Sequence, residues 1–168
     1  RKQVDFEDIY TEGITKITAT DIKYAKALGR SIKLLGCSYK TGDSYCAMVT
    51  PYMLESSHPL YSVNGVFNAI FVKGNMLGDA MFYGSGAGKL PTASAVVADI
   101  VDIVRHKGKH ITVQWSQEKL ELADHKKLSN RYFVRATAEP ADVEAAFGAV
   151  SYVTAEGVSG ETAFVTEE

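Results

Sequence analysis

Cysteine, net charge and long apolar runs are all scarce in this chain of 168 residues, and each scarcity excludes a class of protein. The two cysteines, Cys37 and Cys46, favour reduced thiols in a cytoplasmic protein over a disulfide framework. Eighteen basic and twenty acidic side chains give a net charge of −2, which offers no broad cationic surface to nucleic acid or anionic lipid. Asp99 and Asp102 interrupt the apolar stretch 93–104, so a membrane helix of about 20 apolar residues is not expected.

What is present is enough apolar material for a folded core. Apolar residues make up 46% of the chain and aromatic residues 10%, which suits one domain or a domain with an appendage. The chain opens at Arg1 without an initiator methionine and closes on two glutamates after a strand-like run, residues 163–166. We therefore expect it to be an excerpt of a longer protein.

The first half of the sequence predicts a short helix followed by strands. Thr20 is the expected N-cap of a helix that starts at Asp21 and ends at Gly29. Four strands with hairpin-length links imply a mixed or antiparallel sheet covered by helices, an α+β fold. The strands are expected over residues 31–39, 45–52, 66–73 and 79–83. A loop is expected over residues 55–65, which contain Pro59 and Gly65.

The most specific local pattern is the glycine-rich segment 83–92, which precedes a helix predicted to run to about His106. Alternate glycines leave backbone N–H groups bare, and the helix N-terminus favours an anion by about 0.3–1 kcal/mol. Two interpretations stay open: a binding loop for a nucleotide or other anion, or a tight turn whose glycines permit close packing. The segment matches neither phosphate-binding fingerprint. A Walker A loop would not have Tyr83 and Leu90, and a Rossmann fingerprint would not have Lys89 and Pro91.

The predicted helix after this segment has an apolar stripe that is expected to pack on the sheet, formed by Val96, Ile100, Ile103 and Val104. Beyond it the sequence predicts a possible strand over 111–115 and a helical-looking connector of mixed charge. The charged residues of this connector are expected to form a solvated face, and they are Glu118, Glu121, Asp124, Lys126 and Lys127. A β-α-β-β order follows, with strands at 131–138, 150–154 and 162–166 and a helix at 141–147.

His58 also allows two interpretations, a hydrogen bond that holds its loop or a general base. The other three histidines are scattered among lysines, and no histidine pair has metal-ligand spacing with a third partner. The residues therefore predict no metal site.

Three segments in register carry a resemblance over roughly residues 8–106. They are Glu12-Gly13-Ile14, the run His58-Pro59-Leu60-Tyr61-Ser62-Val63-Asn64-Gly65-Val66-Phe67-Asn68-Ala69-Ile70, and Phe82-Tyr83-Gly84-Ser85-Gly86-Ala87-Gly88 with Leu90-Pro91-Thr92-Ala93-Ser94-Ala95-Val96-Val97-Ala98-Asp99. Together they resemble the bacterial homoserine dehydrogenases. The resemblance implies an NAD(P)-dependent oxidoreductase that interconverts L-aspartate 4-semialdehyde and L-homoserine in threonine, methionine and isoleucine biosynthesis.

The resemblance also implies what lies elsewhere. In the family a Rossmann domain holds most of the cofactor, NADP or NAD, and a segment before the Glu-Gly-Ile motif supplies the catalytic lysine and aspartate. Both would precede Arg1, so no catalytic residue is assigned here and the segment is expected to be inactive alone. Gly88 is the expected cofactor contact, with Gly86 and Ala87 beside it. Lys89 is either a further anion contact or a solvated charge.

At the level of domains, the resemblance predicts the later part of the catalytic and dimerisation domain over 1–110, a connector over 111–129 and a truncated ACT-like regulatory domain over 130–168. The family implies a homodimer or higher oligomer, while the charge, apolar runs and cysteines predict a cytoplasmic protein that binds neither nucleic acid nor membrane. In effector-binding ACT domains a Pro-Gly pair precedes the first helix, whereas Pro140 is here followed by Ala141. Two alternative functions stay open: a small amino-acid-sensing module and a purely structural dimerisation domain.

Overall fold

The computed structural model describes residues 2–109 and 116–167 and has an α+β architecture. Its helices and strands, in chain order, are β1 (Tyr10–Thr11), α1 (Ala19–Ala27), β2 (Arg30–Thr41), β3 (Ser44–Glu55), β4 (Phe67–Gly74), β5 (Gly78–Ser85), α2 (Lys89–Arg105), β6 (Phe133–Ala136), α3 (Pro140–Phe147), β7 (Val150–Val153) and β8 (Thr162–Thr166). The α+β class and the predicted hairpins are confirmed. The chain forms two compact units: one joins the residues up to Glu55 with those from Ser116 onward, and the other begins at Ser56.

The strands belong to three sheets and not to one. β2 and β3 form a hairpin of twelve residues per strand, closed by Gly42 and Asp43, with Gly42 at a φ of +60°. The other edge of β3 is taken by β1, which pairs with it in parallel. β4 does not extend this sheet, and among the described residues it pairs with β5 alone. The predicted domain limits at residues 110 and 129 stay a prediction.

Helix α1 begins at Ala19, two residues earlier than the sequence predicts. Thr18, and not Thr20, is the N-cap, because its hydroxyl accepts from the Asp21 backbone while the Asp21 carboxylate accepts from the Thr18 N–H at 2.7 Å. This reciprocal capping box fixes the start of the helix. Gly29, at a φ of +66°, follows its end as expected.

The C-terminal residues form the predicted β-α-β-β order, with a sheet in the strand order β6-β8-β7 and all neighbours antiparallel. The two faces of this sheet are covered by different helices. On one face Phe147 of α3 packs on Phe164, with ring centroids 5.2 Å apart. On the other face Tyr24 of α1 packs on Phe133 at 5.4 Å and shares a core with Ala163. Tyr24 is 3% exposed, so α1 is anchored by the C-terminal sheet.

Beside this core, Arg135 joins three segments of the same unit. Its guanidinium donates two hydrogen bonds to the Glu161 carboxylate, at 2.9 and 2.8 Å, and a third to Asp21 at 2.7 Å. Burial would raise the pKa of Asp21, but hydrogen bonds from Thr18 and Arg135 outweigh it and lower the pKa below its ordinary value of 3.8. The hydrogen bond from Arg135 likewise lowers the pKa of Glu161 below 4.5.

The connector differs from its prediction as a solvated helical face. Its described part is extended except for a single 3₁₀ turn, His125–Lys127. The Gln3 N–H donates to the Glu118 carbonyl at 2.8 Å, and the Leu120 N–H donates to the Gln3 carbonyl at 2.7 Å. Backbone pairing with the N-terminal segment is satisfied only by an extended connector, which is why helix is not formed. Trp115 and the strand predicted over 111–115 lie outside the described residues.

Ion pairs hold the same connector. Lys119 lies 3.0 Å from Asp5 and 2.9 Å from Asp8, and Lys2 lies 2.6 Å from Glu118. Two of the charges predicted for the solvated face, on Glu118 and Asp124, are thus engaged, Asp124 by accepting from the Lys126 N–H. These contacts are exposed and contribute little each.

The second unit consists of the loop after Ser56, the β4–β5 hairpin and α2. Its predicted loop is confirmed as a series of turns. The apolar stripe of α2, however, is exposed: Val96 by 53%, Ile100 by 54%, Ile103 by 70% and Val104 by 68%. A two-stranded hairpin offers too little surface to cover a helix of 17 residues. No helix within residues 2–109 or 116–167 is both long and apolar enough to cross a membrane.

Replacement of Arg135 by alanine should destabilise the first unit, because it leaves the carboxylates of Asp21 and Glu161 facing each other without their shared cation. We expect the melting temperature of the chain to fall by roughly 3–8 °C. Arg131→Ala is the matched control, since within residues 2–109 and 116–167 the Arg131 side chain makes one hydrogen bond, to the Thr166 carbonyl at 3.3 Å. Equal effects of the two substitutions in thermal unfolding would contradict the role given to Arg135.

The same interaction should make stability depend on acid pH. Because the pKa values of Asp21 and Glu161 lie below their ordinary values of 3.8 and 4.5, their contribution is complete above those values and is lost as the pH falls through the lower, folded values. The difference in melting temperature between the parent chain and Arg135→Ala should therefore shrink below about pH 4. A difference that stays constant from pH 7 to pH 3 would show that the carboxylates do not titrate with folding.

Candidate functional site

The predicted site residues lie together on the turn that leads from β5 into α2. Gly86 and Ala87 follow the end of β5, and Gly88 is the N-cap of α2. The Gly86 N–H donates to the Val66 carbonyl at 3.2 Å, and the Thr92 N–H donates to the Gly88 carbonyl at 3.2 Å. All residues from 81 to 90 are exposed. The loop is thus pinned at both ends by backbone hydrogen bonds and open to solvent between them.

Gly88 is required by its backbone conformation, whereas Gly86 is constrained only by the present position of the flexible Asn68 side chain. Gly88 has a φ of +119°, which side chains rarely allow, although a Cβ there would meet only Pro91 at an ordinary 3.5 Å. A Cβ on Gly86 would collide with the amide nitrogen of Asn68 and lie 3.0 Å from its Cγ. Gly84 has open space around it, so neither reason applies there.

The electrostatics of the loop favour an anion. The first N–H groups of a helix have no acceptor within the helix, and Gly88 provides no side-chain cap for α2. The first turn carries no acidic residue, and Lys89 opens it. Within the described residues Lys89 has no ion-pair partner. A ligand with an anionic or hydrogen-bond-accepting group fits this backbone cradle, in which no side chain stands between 86 and 88 except the methyl of Ala87.

His58 holds its own loop. Its Nδ1 accepts from the Leu60 N–H at 3.1 Å, and its ring packs edge-on against Phe71 with centroids 5.6 Å apart. These contacts favour the first of its two interpretations. Cys37 and Cys46 are free thiols, and burial raises the pKa of the Cys46 thiol, which makes it an inert core residue. In the part of the chain that the structure describes, no three metal-ligating side chains lie together.

An open cavity of about 720 Å³ lies in the first unit, beside Thr18, Asp21, Arg135 and Glu161. Its charged groups already form ion pairs with one another, so they stabilise the fold and are not available to bind a ligand. The glycine loop is therefore the stronger candidate site.

The chain thus has an α+β fold with an exposed glycine loop that opens a helix, and comparison with known proteins identifies its family. The family model described as homoserine dehydrogenase matches residues 1–101. The homoserine dehydrogenase of Neisseria gonorrhoeae is 41% identical over 144 residues, which are 81% of this chain and 33% of that protein. That of Pseudomonas aeruginosa is 47% identical over 102 residues, 61% of this chain and 24% of that protein.

Solved structures agree. A homoserine dehydrogenase from Thiobacillus denitrificans superposes with a TM-score of 0.70 at 31% identity, covering 96% of this chain and 41% of that one. The Staphylococcus aureus homoserine dehydrogenase at pH 6.0 gives a TM-score of 0.66 at 27% identity, with 96% and 42% covered. The chain belongs to the homoserine dehydrogenase family. It spans about a third of the length of the curated relatives it matches.

The sequence did not single out Asn68, although this residue lies within one of the resembling segments. The sequence feature that could have pointed to Asn68 is a carboxamide within a predicted strand, because strands favour β-branched or aromatic side chains. Its position beside the loop could not be read from the sequence, since it stands 18 positions before Gly86, where its amide nitrogen fills the space of a Cβ.

Proposed function

We propose that this chain is the later part of the catalytic and dimerisation region of an NAD(P)-dependent homoserine dehydrogenase, which interconverts L-homoserine and L-aspartate 4-semialdehyde. The observation that carries the proposal is the match of the family model to residues 1–101, which include the glycine loop. The enzyme would serve threonine, methionine and isoleucine biosynthesis in the cytoplasm.

Gly86, Ala87 and Gly88 would hold the cofactor in this proposal. When bound, the nicotinamide cofactor would donate the hydride to the semialdehyde or accept it from homoserine. The residues of the loop orient it: the bare backbone lets a flat or anionic group approach, and the N-terminus of α2 stabilises negative charge. The cofactor is NADP or NAD, held mainly by the part of the enzyme outside this chain. By itself the 168-residue segment would carry no dehydrogenase activity, because hydride transfer needs substrate and cofactor held together.

The C-terminal residues 130–168 would form an ACT-like regulatory unit. The support is the strand order β6-β8-β7, in which β6 and β7 run parallel on either side of β8 and are joined through α3. This split arrangement is typical of the ferredoxin-like half of such units. The Pro140-Ala141 pair stands where effector-binding ACT domains have a Pro-Gly pair.

Substitution of Gly88 tests the glycine loop in a complete homoserine dehydrogenase that contains this segment. Gly88→Val places a branched side chain at a φ of +119° and beside the cofactor, so cofactor affinity should fall tenfold or more, equivalent to about 1.4 kcal/mol per tenfold. Lys89→Ala is the control and should change little if the lysine is only solvated. An unchanged cofactor KM and kcat in the folded Gly88→Val enzyme would identify the loop as a packing turn.

The open edges of the β4–β5 hairpin predict that two copies of the chain associate. β4 and β5 pair only with each other within the described residues, so both outer edges of this hairpin present unpaired backbone groups, and such edges tend to pair. We propose a two-fold homodimer with sheet contacts, as the family resemblance implies. Light scattering at tens of micromolar should give twice the mass of 18.3 kDa. A monomer under these conditions would contradict the dimer and favour a small sensing module.

A further inference from the structure

We propose that Asn68 is a further cofactor-binding residue, whose carboxamide donates a hydrogen bond to the nicotinamide cofactor beside Gly86. The inference rests on the proposed function of the loop and adds to it a side chain from the neighbouring strand. No resembling motif assigns a role to this residue.

The position of Asn68 follows from the register of the hairpin. Asn68 stands opposite Gly84, so no side chain on β5 covers it. Its amide nitrogen occupies the place that a Cβ on Gly86 would take. The carboxamide is therefore at the backbone of the loop itself, within a residue or two of the expected cofactor contacts.

No protein group among the described residues uses the hydrogen-bonding capacity of this carboxamide. The side chain is exposed, and among residues 2–109 and 116–167 it has no hydrogen-bond partner. The nearby Gly86 N–H is already satisfied by the Val66 carbonyl. A primary amide offers two donors and one acceptor, which complements both the carboxamide of nicotinamide and the oxygens of a sugar or phosphate.

The surroundings of Asn68 make it distinctive. Side chains alternate across a strand, so Asn68 shares its face of the hairpin with the alternate residues of both strands. Every other residue on that face is apolar or glycine: Ile70, Val72, Gly74, Gly78, Ala80, Phe82 and Gly84. Ile70 and Phe82 are 66% and 67% exposed. An apolar surface with one placed polar group is the usual composition of a small-molecule site, where the polar group fixes orientation.

The test uses two substitutions in a complete homoserine dehydrogenase that contains this segment. Asn68→Asp keeps the shape of the side chain but removes its donors, and Asn68→Ala removes the group altogether. Equilibrium binding of NADPH and NADH, measured by fluorescence titration without substrate, should weaken tenfold or more for both variants. The KM for homoserine and the melting temperature should stay unchanged. Asn75→Ala, at the turn on the far end of the same hairpin, is the matched control and should bind normally.

Each other result overturns the inference. If Asn68→Asp binds the cofactor normally, the residue acts only through its shape, as packing against Gly86. If Asn75→Ala weakens binding as much, the effect is not specific to the loop. The Gly88→Val enzyme distinguishes the cofactor contact of the loop from the role of Asn68. Weakened binding in Gly88→Val together with normal binding in both Asn68 variants would refute the role of Asn68 alone. Normal binding in Gly88→Val would refute the cofactor contact of the loop.

Discussion

The first unit depends on one guanidinium that three segments share. Arg135 on β6 binds Glu161, which precedes β8, and Asp21 in the first turn of α1, so it ties a helix near the N-terminus to the C-terminal sheet. Asp21 also closes the capping box of α1, and therefore the start of the helix and its attachment to the sheet rest on the same carboxylate. The apolar contact of Tyr24 with Phe133 and Ala163 lies directly beneath. Because such contacts cover the sheet face opposite α3, the C-terminal β-α-β-β unit is part of this fold and not an appendage that hangs from a linker.

The second unit is ordered by different means. None of the residues of β4, β5 or α2 is fully buried, and the hairpin ladder and backbone hydrogen bonds define the geometry. The candidate site belongs to this unit. The N-terminus of α2 has no side-chain cap, so its backbone N–H groups can bind a ligand. The charged groups of Arg135, Asp21 and Glu161 instead form ion pairs with one another. This difference explains why the open cavity lined by that charged cluster is the weaker candidate for binding.

The sequence predicted the parts of the fold that local rules decide. Turn residues Gly42 and Asp43 marked the first hairpin, and the strand at 162–166 and the helix after the glycine loop were found where local patterning placed them. One error is local, at the N-cap of α1, and the others fall where distant residues decide. Thr18 replaces Thr20 as N-cap because Asp21 completes a reciprocal pair, and the connector is extended because residues far away in sequence pair with its backbone. Arg135 could not be recognised as a cross-link, since its partners stand 114 and 26 positions away.

The glycine pattern itself is ambiguous evidence for a ligand, and the structure explains why. A side chain at Gly86 would displace the Asn68 carboxamide, and Gly88 is required because of its backbone angle. Both constraints would hold in a loop that binds nothing, so the spacing of glycines alone left the two interpretations equal. What a packing turn does not need is an uncapped helix N-terminus without acidic residues, next to an exposed carboxamide that has no partner within the described residues. These two features, and not the glycines, are the physical reasons for placing a ligand at the loop, and the family match then says which kind of ligand to test.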